Sequence, residues 1–309
     1  MKKVTVYEIP ALYRQNFIIS GYQFGEGEKT LAVVGSLRGN EYQQIYTCSQ
    51  LVRMLKELEA AGKLPKDREI LVIPSLNPYS MNIGKRFWPT DNTDINRMFP
   101  GYAQGETTQR IAAAVFDVIS KYKNGIQFAS FYMPGKFLPH VRMMRTGYEN
   151  IQKASLFGLP HVIIREPRPY DTTTLNYNWQ IWETNAYSLY TTTTGEIDEI
   201  SARDMVDSIL RFLGAEGILK ETPGGGRVPL VWNDRDMVNI RPEKAGIFRS
   251  RVMIGQKVRA GDKVAEIMDP GEGGVLEELY APMTGVVFFL HTDPLTYAST
   301  AVIKLLPMA

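Results

Sequence analysis

Short apolar runs separated by polar or glycine-bearing turns open the chain. VTVYEI, NFIISGYQF and TLAVVGS, within residues 3–36, read as three strands. From Glu41 to Leu64 the spacing changes: Ile45, Leu51, Val52, Leu55 and Leu58 recur at helical intervals, and Gly62 and Pro65 close the run. EILVIPSL is apolar almost throughout, the pattern of a central strand buried on both faces. ETTQRIAAAVFDVISKY predicts an amphipathic helix ending near Asn124–Gly125. Beyond it IQFASFY, LPHVRMM and HVIIRE are strand candidates, with a short helix in ENIQKASLFG between the last two. SLYTTTT predicts a further strand, and DEISARDMVDSILRFLG a helix with acidic residues at its start and Gly214 at its end. Alternating strands and helices predict an α/β domain whose sheet is parallel or mixed, with helices on both faces.

The pattern changes at Glu221–Arg227, ETPGGGR, which reads as a flexible linker. Helical spacing is absent after it, and short strands lie between turn signals such as Ala260-Gly261-Asp262 and Pro270-Gly271. The expected organisation is an α/β domain over 1–221 and a C-terminal all-β domain over 222–309.

Composition narrows the function classes. The chain is 44% hydrophobic and 22% charged with a formal net charge of +2, and its basic residues are scattered, which argues against a nucleic-acid or polybasic membrane surface. No stretch approaches the roughly 18 apolar residues of a membrane span. MKKVTVYEIPALYRQ lacks the apolar core of a signal peptide, so a cytoplasmic location is the expectation, and a homo-oligomer is compatible with it. The single cysteine, Cys48, excludes an intrachain disulfide and reads as a buried small hydrophobe.

Candidate chemistry concentrates in two stretches. Leu31 to Glu41, LAVVGSLRGNE, is a strand running into a glycine-flanked turn and a helix start, the geometry that puts polar side chains at the carboxyl edge of a sheet. Asn77 to Gly101, NPYSMNIGKRFWPTDNTDINRMFPG, is a long loop, a length uncommon unless it serves function. Together they resemble the succinylglutamate desuccinylase/aspartoacylase family of zinc carboxypeptidase-like hydrolases. The β-module VMIGQKVRAGDKVAEI with LYAPMTGVVFFL is similar to the barrel-sandwich that follows the catalytic domain in that family. Biotinyl and lipoyl carriers share this shape but need a lysine at the tip, where this chain has Met283-Thr284, which argues against a carrier role.

The resemblance implies hydrolysis of the amide of an N-acyl amino acid by zinc-bound water, with His and Glu of a G-x-H-G-[DN]-E turn and a later His as ligands. Glu41 matches the Glu ligand, whereas Arg38 stands at the first His and Ala129 falls at the second. The catalytic Glu segment aligns with Thr191–Gly195, which puts Thr193 at the base, with nearby Glu196 as a displaced candidate. The resemblance also implies that Arg86, Asn96 and Arg97 bind the substrate carboxylate and carbonyl, a task that suits the planar fork of arginine. Only three histidines occur, His140, His161 and His291, and none follows a glycine turn. The expectation is a degenerate member that holds a small carboxylate or N-acyl amino acid with no cofactor, zinc being the metal of the family. The alternative is an active hydrolase with a remodelled metal site. Arg38 and Glu41 are expected to pair bidentately at the position of the metal.

Overall fold

The computed structural model describes residues 1–13 and 15–308. Ten strands arise before the chain turns wholly to β structure: β1 (Lys2–Ile9), β2 (Phe17–Phe24), β3 (Glu28–Ser36), β4 (Arg68–Ser75), β5 (Asn124–Phe128), β6 (Gly135–Phe137), β7 (His140–Met144), β8 (His161–Arg165), β9 (Asn185–Tyr190) and β10 (Leu230–Asn233). All but β6 join one sheet, in the spatial order β1-β2-β4-β3-β5-β9-β7-β8-β10. The centre is parallel, β4 with β3, β3 with β5 and β5 with β9, while β1, β2 and β7 are attached antiparallel. The fold is therefore a mixed α/β sheet, and β3 is buried from Thr30 to Ser36, as its unbroken apolar run demands.

Helices α1 (Tyr42–Ala60), α2 (Pro78–Asn82), α3 (Thr107–Ile119), α4 (Ile151–Ser155), α5 (Leu175–Ile181) and α6 (Glu199–Ala215) cover the sheet. One core packs Cys48, Leu51 and Leu55 of α1 and Met205 and Ile209 of α6 against Val33, Ile126, Phe128 and Leu189. The other packs Ile111 and Val115 of α3 and Leu175 and Trp179 of α5 against Ala32, Val34, Ile73 and Ala186. Trp88, Ile95 and Phe99 anchor the long loop in this second core, so its chemistry rests on a fixed base. α3 starts on a reciprocal cap between Glu106 and Gln109, and α6 on Asp198, which accepts from the Ser201 N–H.

Two compact units result, one of residues 1–130 with 139–231, the other of 131–138 with 232–309. Where the sequence predicts a strand running through IQFASFY, β5 ends at Phe128, and the chain joins the second unit at Phe131. There β6 pairs with the strand Gly285–His291. That unit comprises two antiparallel sheets around a core that includes Val264, Ile267, Val287 and Leu305. There the side chains of Arg249, Arg251 and Lys263 surround the carboxylate of Glu266.

Candidate functional site

The turn after β3 is organised by Glu41. Its carboxylate reaches back to accept the N–H groups of Leu37 at 2.8 Å and Arg38 at 3.1 Å. The group that begins α1 thus fixes the turn in front of it. Gly39 is required here. A Cβ at this position would sit 2.1 Å from the Lys85 carbonyl oxygen, and the Gly39 N–H donates to the Arg86 carbonyl at 2.9 Å. Backbone contact at that distance joins the turn to the long loop.

Arg38 lies inside this junction, only 7% exposed. Its Nη1 donates to Glu41 Oε1 at 3.0 Å and to Ser130 Oγ at 3.1 Å, while Nε and Nη2 both donate to Asp94 Oδ2, at 3.2 and 2.8 Å. The Ser130 hydroxyl donates in turn to Glu41. Burial opposes the charge on Arg38, but the carboxylates of Glu41 and Asp94 overcome it and hold the guanidinium above its ordinary pKa. The expected bidentate pair with Glu41 is thus corrected in form. Arg38 gives Glu41 one bond and spends its side edge on Asp94, 56 residues further along. Asp94 also accepts from the Asn96 N–H at 3.0 Å, so one carboxylate fastens the guanidinium and the turn that follows.

The other expected site residues lie as follows. Ala129 directly follows β5, donating its N–H to the Leu189 carbonyl at 2.9 Å and accepting from the Gln44 side chain, and the side chain that reaches Glu41 from beyond this strand end is that of Ser130. Thr193 donates its hydroxyl to the Glu196 carbonyl at 2.7 Å, and the Glu196 side chain is exposed. Gln43 staples this threonine run to α1 through paired bonds with the Asp198 backbone, while its own N–H donates to Thr194. Asn96 accepts from the Leu175 N–H, holding the first turn of α5. Arg97 donates to the Tyr170 carbonyl at 2.5 Å and lies 3.8 Å from Asp171, which ties it to the loop before α5. Arg86 differs: half-buried, it rests on the Phe87 ring, and among the described residues no carboxylate lies within ion-pair distance of its guanidinium. Burial and then the charge of Arg38 draw its pKa below the ordinary value, partly offset by Glu41 and Asp94. The negative charge of a ligand carboxylate would offset both effects.

A catalytic zinc takes nitrogen, sulfur or carboxylate ligands on three sides and water on the fourth. This turn presents a guanidinium, a carboxylate already accepting from four donors, and a hydroxyl, a set that does not fit zinc. Among the described residues no group of three or more His, Cys, Asp or Glu is placed to share a metal ion. His140 is buried and stacked on Tyr190 at 4.5 Å, His161 begins β8, and His291 belongs to the second unit. Ser130 was not legible as a partner of Glu41. The sole sequence signal is a hydroxyl residue just past an apolar strand.

Residues 27–125 match the model for the succinylglutamate desuccinylase/aspartoacylase catalytic domain. Over 267 residues, 81% of this chain and 73% of the relative, the sequence is 24% identical to the N-alpha-acetyl-L-2,4-diaminobutyric acid deacetylase of Halomonas elongata. Among solved structures, a succinylglutamate desuccinylase from Silicibacter sp. superimposes with a TM-score of 0.81 at 18% identity, covering 96% of this chain and 92% of the other. The product-bound ectoine utilization protein from Ruegeria pomeroyi gives 0.80 at 19% identity, with 97% and 93% covered. These structural likenesses agree with the fold described above. The matched domain spans the Glu41 turn and the long loop, so this part of the chain is similar to the succinylglutamate desuccinylase/aspartoacylase catalytic domain.

Proposed function

We propose that this chain is a pseudoenzyme of an N-acyl amino acid deacylase family: it binds a small carboxylate or N-acyl amino acid at Arg86 without zinc-dependent hydrolysis. The observation that carries this reading is the guanidinium of Arg38 locked between Glu41 and Asp94. Family chemistry needs a dication at this turn to lower the pKa of a water molecule and polarise the amide carbonyl. A permanent positive charge 3.0 Å from the one matching carboxylate repels a dication and uses the lone pairs it would need. Thr193, at the position of the proton-accepting carboxylate, has a hydroxyl that does not ionise near neutral pH and is already donated to a backbone carbonyl. Among the described residues no carboxylate pairs with Arg86 beside this cluster, which supports retained recognition of a carboxylate after loss of the chemistry.

The test combines three measurements on the full chain. Protein purified without chelator should contain well under one zinc per chain by elemental analysis. Proton NMR should show no acetate released from N-acetyl-L-2,4-diaminobutyrate or N-acetylglycine. N-acetylglycine should raise the unfolding temperature, a gain of about 2.7 kcal/mol at 100 times its dissociation constant, and Arg86→Ala should remove that gain. One zinc per chain whose removal stops acetate release would replace this reading with an active amidohydrolase on a remodelled metal site.

A further inference from the structure

Arg142 is an arginine in the middle of a buried strand, and the proposed reaction history gives it no task. In β7 it lies opposite Ser188 of β9, which lies opposite Gln127 of β5. Successive side chains of a strand point to opposite faces. The neighbours Phe128, Leu189 and Val141 are 0% exposed in the core beneath α1 and α6, so Gln127, Ser188 and Arg142 face the side covered by α3 and α5. That face is polar here and is not sealed: Arg142 is 5% exposed, and Ser188 and Tyr190 are 7% exposed.

Its polar groups are incompletely used. Arg142 lies over the Tyr190 ring at 4.6 Å and donates Nη1 to the Tyr190 hydroxyl at 3.0 Å. Among the described residues its Nε has no hydrogen-bond partner, Nη2 donates to no other group, and no carboxylate pairs with it. Gln127 Oε1 is buried without a partner among the described residues. Helix α5 packs over β9, β7 and β5, and Gln180 on it holds the backbone of Met144, two residues beyond Arg142. One turn earlier on α5 stands Asn176, 3% exposed, with neither amide atom partnered among the described residues. A buried guanidinium without a counter-ion is costly, and so is each unmade amide bond. An incoming carboxylate would satisfy the guanidinium, because the Nε–Nη2 edge is the side of the fork that binds a carboxylate through two parallel bonds.

We propose that Arg142 determines ligand specificity by taking a second anionic group of the ligand on its Nε–Nη2 edge, with the Asn176 amide as a further donor. This rests on the reading above, in which Arg86 takes the first carboxylate. The ligand is then a small acid with two anionic groups, one bound near the Arg38 turn and the other on the polar face of the sheet.

Succinate and butyrate test this, since they differ by one carboxylate. Calorimetric titration of the full chain should give succinate at least about tenfold tighter binding than butyrate. Arg142→Met should reduce succinate to the level of butyrate, and Arg86→Ala should weaken both. A parent with no preference for succinate overturns the proposal, as does an Arg142→Met chain that keeps the preference. If neither acid binds the parent, this inference and the Arg86 reading fall together. If Arg86→Ala leaves both affinities intact while Arg142→Met removes the preference, the Arg86 reading falls and Arg142 stands. Should Arg142→Met fail to fold, nitrogen-15 arginine NMR of the parent supplies the answer. The Nε–H signal absent from Arg142→Lys should shift on addition of succinate and not of butyrate, and an unmoved signal overturns the proposal.

Discussion

Removing the Arg38 guanidinium tests the proposed replacement of a metal by an ion pair most directly. Arg38→Ala deletes the bonds to Asp94, Glu41 and Ser130 and leaves both carboxylates without the guanidinium that pairs with them. Taking away one partner of a buried pair costs about 3–5 kcal/mol, because the stranded charge remains buried. Two features of the structure place this case at the lower end. Glu41, 1% exposed, keeps the Leu37 and Arg38 N–H groups and the Ser130 hydroxyl as donors. The Asp94 side chain is 16% exposed and keeps the Asn96 N–H. The expected loss is therefore about 3 kcal/mol. Adding Glu41→Gln removes one stranded charge while leaving an oxygen for the turn N–H groups, and should return about 1–2 kcal/mol of that loss. Urea denaturation followed by tryptophan fluorescence in a Trp232→Phe background reads the first unit, which holds Trp88, Trp179 and Trp182. An Arg38→Ala loss below about 0.5 kcal/mol, or a double variant less stable than the single, would refute the buried-pair reasoning.

Gly39→Ala should destabilise the first unit by about 1–3 kcal/mol in the same assay, since its Cβ meets the Lys85 carbonyl and the backbone at Ser80 must move. In the second unit, bonds from Lys263 first and then Arg249 and Arg251 hold Glu266 down to a pKa of about 2 from an ordinary 4.5. A carboxylate depressed on folding stabilises the unit fully above its unfolded pKa and loses that contribution as pH falls through the folded value. Calorimetric unfolding of the second unit should therefore weaken as pH drops from about 4.5 toward about 2, and Glu266→Gln should flatten that dependence. A parent and variant with parallel pH profiles would show that Glu266 titrates as an ordinary carboxylate.

Local pattern determined the elements whose buried faces are apolar. Helices α1, α3 and α6 carry their core residues at helical spacing, and β3 and β4 are apolar runs, so hydrophobic period and type of element coincide. Helix α5 escaped that logic because much of its buried face is polar. Asn178 donates to the Phe99, Thr172 and Thr174 carbonyls, and Gln180 bonds the Met144 backbone, partners that largely exist only after the chain has folded. The site divides along the same line. A glycine turn with arginine and glutamate three residues apart announces a local pair, and the spacing that brings Arg38 to Glu41 is a property of the turn itself. Asp94 and Ser130 come from 56 and 92 residues away, and only sheet order and the anchoring of the long loop bring them to the same guanidinium. Arg86, Asn96 and Arg97 look equivalent in sequence, as polar side chains within one loop. Tertiary structure separates them: Asn96 and Arg97 meet backbone and carboxylate partners on the segment before and into α5, while among the described residues no carboxylate pairs with Arg86. A long-range partner leaves no trace in residue spacing, because it is set by how strands 50 or more residues apart in the chain come to lie side by side.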